Sequence, residues 1–164
     1  MRNKSRILKF HHIVVLNMMA GLIATMIMLN TAFAAEENPT LSAIEEYMEF
    51  AGYSSSLIWP EQIPEKEWKN IFVIDARDKN QYTKEHIPGA VNIEWRQAVI
   101  RRSEIPADKM VVIYCNSGSL SAQAVFALRL LGMENVKVLQ DGIEGWKAKG
   151  GFEAHKRATK AAGH

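Results

Sequence analysis

The chain has 164 residues, 48% of them apolar and 23% charged, enough for one domain with a core of its own. Four of its 20 basic residues (Arg2, Lys4, Arg6 and Lys9) fall in the first 34 positions, which hold no acid, so the remainder carries 16 basic against 18 acidic residues. That balance, with no basic stripe, excludes a nucleic-acid-binding domain, and a single cysteine without a CxxC or Cys/His cluster excludes an internal disulfide and a zinc finger.

Residues 1–12 are basic, 13–29 are mostly apolar, and Ala32-Phe33-Ala34 supplies small residues before acidic Glu36-Glu37. Basic, apolar and small in that order predicts a secretory signal peptide over 1–34, cleaved near Ala34. An apolar stretch of about 17 residues is also near the lower limit for crossing a bilayer, so an uncleaved anchor is the alternative. Cleavage would leave a domain over 35–152 with no stable membrane association, in the periplasm if the source is Gram-negative.

Leu41, Ile44, Tyr47 and Met48 recur at helical spacing and predict a helix over 41–50, with Thr40 or Ser42 as its cap. Pro60 and Pro64 mark a loop over 57–65, from which Ile58, Trp59 and Ile63 tuck against the core. The apolar run 71–74 predicts a buried strand that ends in Asp75-Ala76-Arg77-Asp78. A short helix over 79–85, a tight connection through His86-Ile87-Pro88-Gly89-Ala90, a strand over 91–93 and a helix over 94–102 follow. After Pro106 comes the strand Val111-Val112-Ile113-Tyr114, then a helix over 122–131 ended by Gly132. A strand over 136–139 and a helix over 143–149 anchored by Trp146 complete the series. Residues 153–164, which hold His155 and His164, read as a disordered tail. Short apolar strands alternating with helices predict an α/β domain with a mainly parallel sheet.

The central strand ends on the only cysteine, Cys115, and small polar residues follow it: Asn116, Ser117, Gly118, Ser119 and Ser121, with Leu120 among them. A cysteine between a strand end and a helix start meets unpaired backbone N–H groups and the positive end of the helix dipole, which stabilise a thiolate and a bound anion. A buried structural cysteine is the plainer reading of a lone Cys. The polar residues that follow, where core residues would be expected, favour the reactive one.

Three stretches together resemble the single-domain rhodanese family. Ile74-Asp75-Ala76-Arg77, leading to His86-Ile87-Pro88-Gly89-Ala90-Val91-Asn92-Ile93, is similar to its Asp-x-Arg and His-Ile-Pro-Gly-Ala signatures. Cys115 to Ser121 is similar to its active loop, and Leu139-Gln140-Asp141-Gly142-Ile143-Glu144-Gly145-Trp146-Lys147-Ala148-Lys149-Gly150 to its closing Gly–x–x–x–Trp segment. The resemblance implies a five-stranded parallel sheet flanked by helices, with Cys115 as nucleophile and Asn116, Ser117, Gly118, Ser119, Leu120 and Ser121 as the substrate-binding loop. It implies transfer of a sulfane sulfur from a small sulfur-containing anion such as thiosulfate to a thiol or cyanide, with a protein as a possible acceptor. Covalent catalysis by a low-pKa thiol needs no metal and no organic cofactor. Asp75 and Arg77 would form a fold-holding ion pair, Gly89 would belong to the tight connection, Trp146 to the core, and His86 would hydrogen-bond backbone beside Pro88.

The chain departs from the family pattern at Gln81, where glutamate is usual before the aromatic Tyr82, and in the active loop. Ser119 and Leu120 stand where many active rhodaneses carry an arginine that binds the donor, which leaves the loop N–H groups or Arg96, Arg101 and Arg102 for that role. The same fold hosts cysteine phosphatases, but these need an arginine closing the loop to hold phosphoryl oxygens bidentately. Ser121 occupies that position and Tyr114 replaces the usual histidine, which excludes a phosphatase.

Overall fold

The computed structural model describes residues 38–162, so the expected signal peptide at 1–34 lies outside the described residues. The sheet and everything packed on it belong to one unit, Ala43–His164. No helix among the described residues is long and apolar enough to cross a membrane.

The first helix among the described residues, α1, spans Pro39–Phe50. Its cap is neither Thr40 nor Ser42. The Asn38 Oδ1 accepts from the N–H of Thr40 at 3.0 Å, so the helix starts earlier than expected, with proline in the first turn where its missing N–H does no harm.

Five parallel strands form the sheet: β1 (Leu57–Ile58), β2 (Phe72–Asp75), β3 (Val91–Asn92), β4 (Val111–Tyr114) and β5 (Val136–Leu139), in the order β1-β5-β4-β2-β3. The fifth, β1, replaces the start of the expected 57–65 loop. It pairs with β5 through Leu57 against Val138 and Ile58 against Leu139, and two residues suffice because it is an edge. Ile58 and Ile63 reach the core as expected, whereas Trp59 stays exposed.

β4 is central and its four side chains are all buried, which is what a parallel sheet covered on both faces demands. Alternation along the strand divides the core in two. Val111 and Ile113 join Ile74, Val136 and Val138 on one face, covered by Ala124, Val125 and Leu128 of α3 (Ser119–Leu130). Val112 and Tyr114 join Val73 and Leu139 on the other, covered by Ile143 of α4 (Gly142–Lys149) and by Ile63, Trp68 and Ile87. The short helix α2 (Lys79–Lys84) is capped by Asp78, whose Oδ1 accepts from the Gln81 N–H at 2.9 Å.

Three further expectations are corrected. In place of a helix over 94–102 stand two separate 3-10 turns, Trp95–Gln97 and Arg102–Glu104, each followed directly by a buried residue, Ala98 and Ile105. α3 begins at Ser119 rather than 122, so the second half of the expected loop is the first helical turn. The tail is helical over Ala154–Ala162 (α5) because it has somewhere to dock: Ala154 is buried and His155 Nδ1 lies 2.8 Å from the Glu61 carbonyl oxygen.

Trp146 is half-buried. It packs on the second core cluster, its ring centroid 5.2 Å from that of Phe152, which also stacks edge-on with Trp68 at 5.4 Å.

Candidate active site

Cys115 follows directly on β4 and is 2% exposed. Parallel strands bring their C-terminal ends to one edge of the sheet, so β2 places Asp75, Ala76 and Arg77 beside it, with Asp75 in register with Tyr114. The chain then turns around the sulfur. Gly118, at φ +106, takes a left-handed conformation that a side chain would strain, and this aims its N–H back at Cys115 Sγ, 3.2 Å away. Ser121, in the first turn of α3 and fully buried, places its hydroxyl 3.7 Å from the same sulfur.

These donors decide the thiol's ionisation. Burial pushes the Cys115 thiol up, but the N–H and hydroxyl of Ser121 and the N–H groups of Gly118 and Leu120 outweigh it and hold the thiol below its ordinary value. The sulfur is thus held toward the thiolate by oriented backbone dipoles rather than by a neighbouring cation.

The loop is clamped from below. The N–H of Ile143 donates to the Cys115 carbonyl at 2.9 Å and that of Glu144 to the Asn116 carbonyl at 3.2 Å, so the N-terminus of α4 is spent on the loop's own oxygens. Close approach requires Gly142, at φ +60: a Cβ there would collide with the backbone of both Cys115 and Asn116. The Gly–x–x–x–Trp segment therefore matters to the site through its glycine, a role its sequence alone did not reveal.

A second support comes from β2. Arg77 and Asp75 form the expected ion pair, with Nη2 2.6 Å from Oδ2 and both residues buried. Asp75 also accepts from the Tyr114 hydroxyl at 2.8 Å, and that oxygen in turn accepts from the Ile87 N–H at 3.0 Å. Burial, with Asp75 as the acceptor, pushes the Tyr114 hydroxyl's pKa well up, so it stays a donor. Arg77 Nη1 donates to Asn116 Oδ1 at 3.2 Å, and Asn116 Nδ2 donates to Gln81 Oε1 at 2.8 Å. The Asn116 side chain is committed to this scaffold, which makes it a brace for the loop.

Ser117 and Ser119 are exposed at the rim and Leu120 is half-buried. His86 is exposed, with Nδ1 2.9 Å from the Tyr82 carbonyl oxygen and its ring stacked on that of Tyr82, a backbone contact four residues upstream rather than beside Pro88. Gly89 sits at φ +86 in the tight connection, where nothing crowds it. Of the candidate donor-binding arginines, Arg96 pairs with Glu94, Arg101 with Glu104, and Arg102 bonds the Val99 carbonyl. Arg77, which touches the loop through Asn116, is also paired, with Asp75, and Lys147 is paired with Glu85.

With this arrangement in place, comparison with known proteins is decisive for the family. Residues 61–149 match the rhodanese-like domain, and the chain belongs to that family. It is 37% identical over 82 residues to a sulfurtransferase of Allochromatium vinosum, a match covering 50% of this chain and 77% of that one. A thiosulfate sulfurtransferase of Coxiella burnetii is 30% identical over 80 residues, covering 49% and 75%. Among solved structures, a rhodanese-related protein of Thermoplasma volcanium superposes with a TM-score of 0.53 at 25% identity, covering 58% of this chain and 93% of that one. Membership and these relatives support a role in sulfur transfer.

Proposed function

We propose that the protein is a sulfurtransferase in which Cys115 carries the sulfur. The observation that supports this most strongly is the cup of donors around Cys115 Sγ, with the Gly118 N–H at 3.2 Å and the Ser121 hydroxyl at 3.7 Å. The thiolate attacks the sulfane sulfur of a donor of the thiosulfate class. A new S–S bond forms at Sγ, the donor's own S–S bond breaks, and its electron pair leaves with sulfite. The persulfide keeps a negative outer sulfur in a loop of N–H groups that need not reorganise to receive it. A thiolate or cyanide then attacks that outer sulfur, and the Sγ–S electron pair returns to Cys115.

With Ser119 and Leu120 where an arginine would hold the donor's anionic end, and Arg96, Arg101 and Arg102 engaged with Glu94, Glu104 and the Val99 carbonyl, donor binding falls to the loop N–H groups. That same departure favours a second reading, a rhodanese-like module that presents the loop to a partner without turnover. Thiocyanate formation from thiosulfate and cyanide separates the two. Turnover by the wild type and none by Cys115→Ala supports the enzyme; absence of turnover with every sulfane donor tried supports the module.

We further propose, on the pattern of residues 1–34, that the domain is exported and works in the periplasm after cleavage near Ala34. N-terminal sequencing of the exported fraction tests this. A chain starting at Met1 in the membrane pellet would contradict it.

A further inference from the structure

Ser121 has one hydroxyl proton and two acceptors within reach. Its Oγ lies 2.9 Å from the Gly118 carbonyl oxygen and 3.7 Å from Cys115 Sγ. The residue is fully buried, so no water competes for that proton. A hydroxyl hydrogen turns about its C–O bond without moving a heavy atom, so one position of the side chain serves both acceptors in turn. The Gly118 carbonyl is also held independently: it accepts the N–H of Ala122 at 2.8 Å, the first hydrogen bond of α3. When the hydroxyl turns away, that oxygen keeps a partner, and no buried acceptor is orphaned.

We infer that Ser121 is a positioning residue whose hydroxyl follows the charge on Cys115, donating to the Gly118 carbonyl when the sulfur is neutral and to Sγ when it is a thiolate. Resting on the sulfurtransferase reading, this places Ser121 at both half-reactions. Sγ is anionic before it attacks the donor and again when it departs from the outer sulfur, and it is neutral as the inner sulfur of the persulfide between them. The hydroxyl turns to Gly118 as the Sγ–S bond forms and back to Sγ as that bond breaks. The backbone N–H groups, which cannot turn, serve the charge on the outer sulfur. A fixed cation over the thiolate would hold back its attack; a rotating hydroxyl releases it as the charge leaves.

The experiment is alkylation of the full chain by iodoacetamide against pH, in wild type, Ser121→Ala and Ser121→Thr. Loss of one hydrogen bond to an ionised sulfur raises the inflection in Ser121→Ala by about one pH unit, roughly a tenfold loss of thiolate at any pH below both inflections. Ser121→Thr keeps the hydroxyl and returns the inflection toward wild type. In steady-state transfer, Ser121→Ala lowers kcat and leaves the KM for thiosulfate unchanged, since the residue touches Sγ and not the donor. An inflection in Ser121→Ala that coincides with wild type overturns the inference. So does a shift that Ser121→Thr fails to reverse, which would make the effect one of packing. Should Ser121→Ala fail to fold, the hydroxyl proton of Ser121 is followed by NMR in the wild type instead. Movement downfield with Cys115 ionisation supports the switch, and a resonance indifferent to it overturns it. Alkylation requires no sulfur donor, so the inference can fail while sulfur transfer stands, and sulfur transfer can fail while the hydroxyl still tracks the thiol.

Discussion

Gly142→Ala is the substitution that most sharply couples the fold to the site. At φ +60 a residue with a Cβ loses about 1–2 kcal/mol to the left-handed conformation alone. The added methyl also meets the backbone of Cys115 and Asn116 at distances real Cβ atoms do not show, so either the loop or the start of α4 must move. Either movement weakens the hydrogen bonds from Ile143 to Cys115 and from Glu144 to Asn116, each worth about 1 kcal/mol. The expected loss is therefore about 3–4 kcal/mol, a fall in Tm of about 10–15 °C for a domain of this size. Gly132→Ala is the control. It sits at φ +82 with nothing within 4 Å of the added methyl, so it bears only the conformational part, about 1–2 kcal/mol. Urea unfolding followed by circular dichroism measures both, and thiol alkylation at neutral pH reports the loop. Equal losses of stability in the two variants, or alkylation of Gly142→Ala at the wild-type rate, would refute the proposed clamp.

Arg77→Met leaves Asp75 buried with only the Tyr114 hydroxyl and the N–H of residue 77 as donors, and urea unfolding should show a loss of about 3–5 kcal/mol; a loss under about 1 kcal/mol would mean the pair is not what holds this edge of the sheet. Leu120→Arg adds a guanidinium beside the loop and should lower the KM for thiosulfate, while an unchanged KM in a folded variant would show that the missing arginine does not limit donor capture. Because Cys115 ionises more readily folded than unfolded, its contribution to stability is complete above the ordinary thiol value of about 8.5 and is lost as pH falls through the lower folded value. The stability difference between wild type and Cys115→Ala should accordingly grow as pH rises across that window, and a difference flat in pH would contradict the depressed thiol.

What the sequence discloses here follows from the length of its signals. β2 and β4 are legible because each carries the continuous apolar run of a buried parallel strand, and β5 because Val136, Val138 and Leu139 are apolar around the single Lys137. β1 is not, because two residues flanked by Ser54-Ser55-Ser56 and Pro60 carry no periodicity, and only pairing with β5 makes them a strand. Over 94–102 the inward residues Trp95 and Ala98 are three apart, which suits a 3-10 turn as well as an α-helix, and Glu94 caps a turn too short to continue. Cys115 is legible from its place between strand and helix. Its supports are not, because they depend on register: Asp75 meets Tyr114 only because β2 and β4 pair in parallel at that offset. The buried place of Ser121 follows from the start of α3, since Gly118 is the natural break between loop and helix. The clamp of α4 on the loop rests on backbone groups, which carry no residue-type signature beyond a glycine.

That Cys115 carries the transferred sulfur is tested most directly by intact mass of the protein after incubation with thiosulfate and removal of excess donor. The expected product is one sulfur heavier, returns to the original mass on adding cyanide or dithiothreitol, and does not form in Cys115→Ala. An unchanged mass with thiosulfate and with other sulfane donors, from a protein whose thiol still alkylates readily at neutral pH, would contradict it.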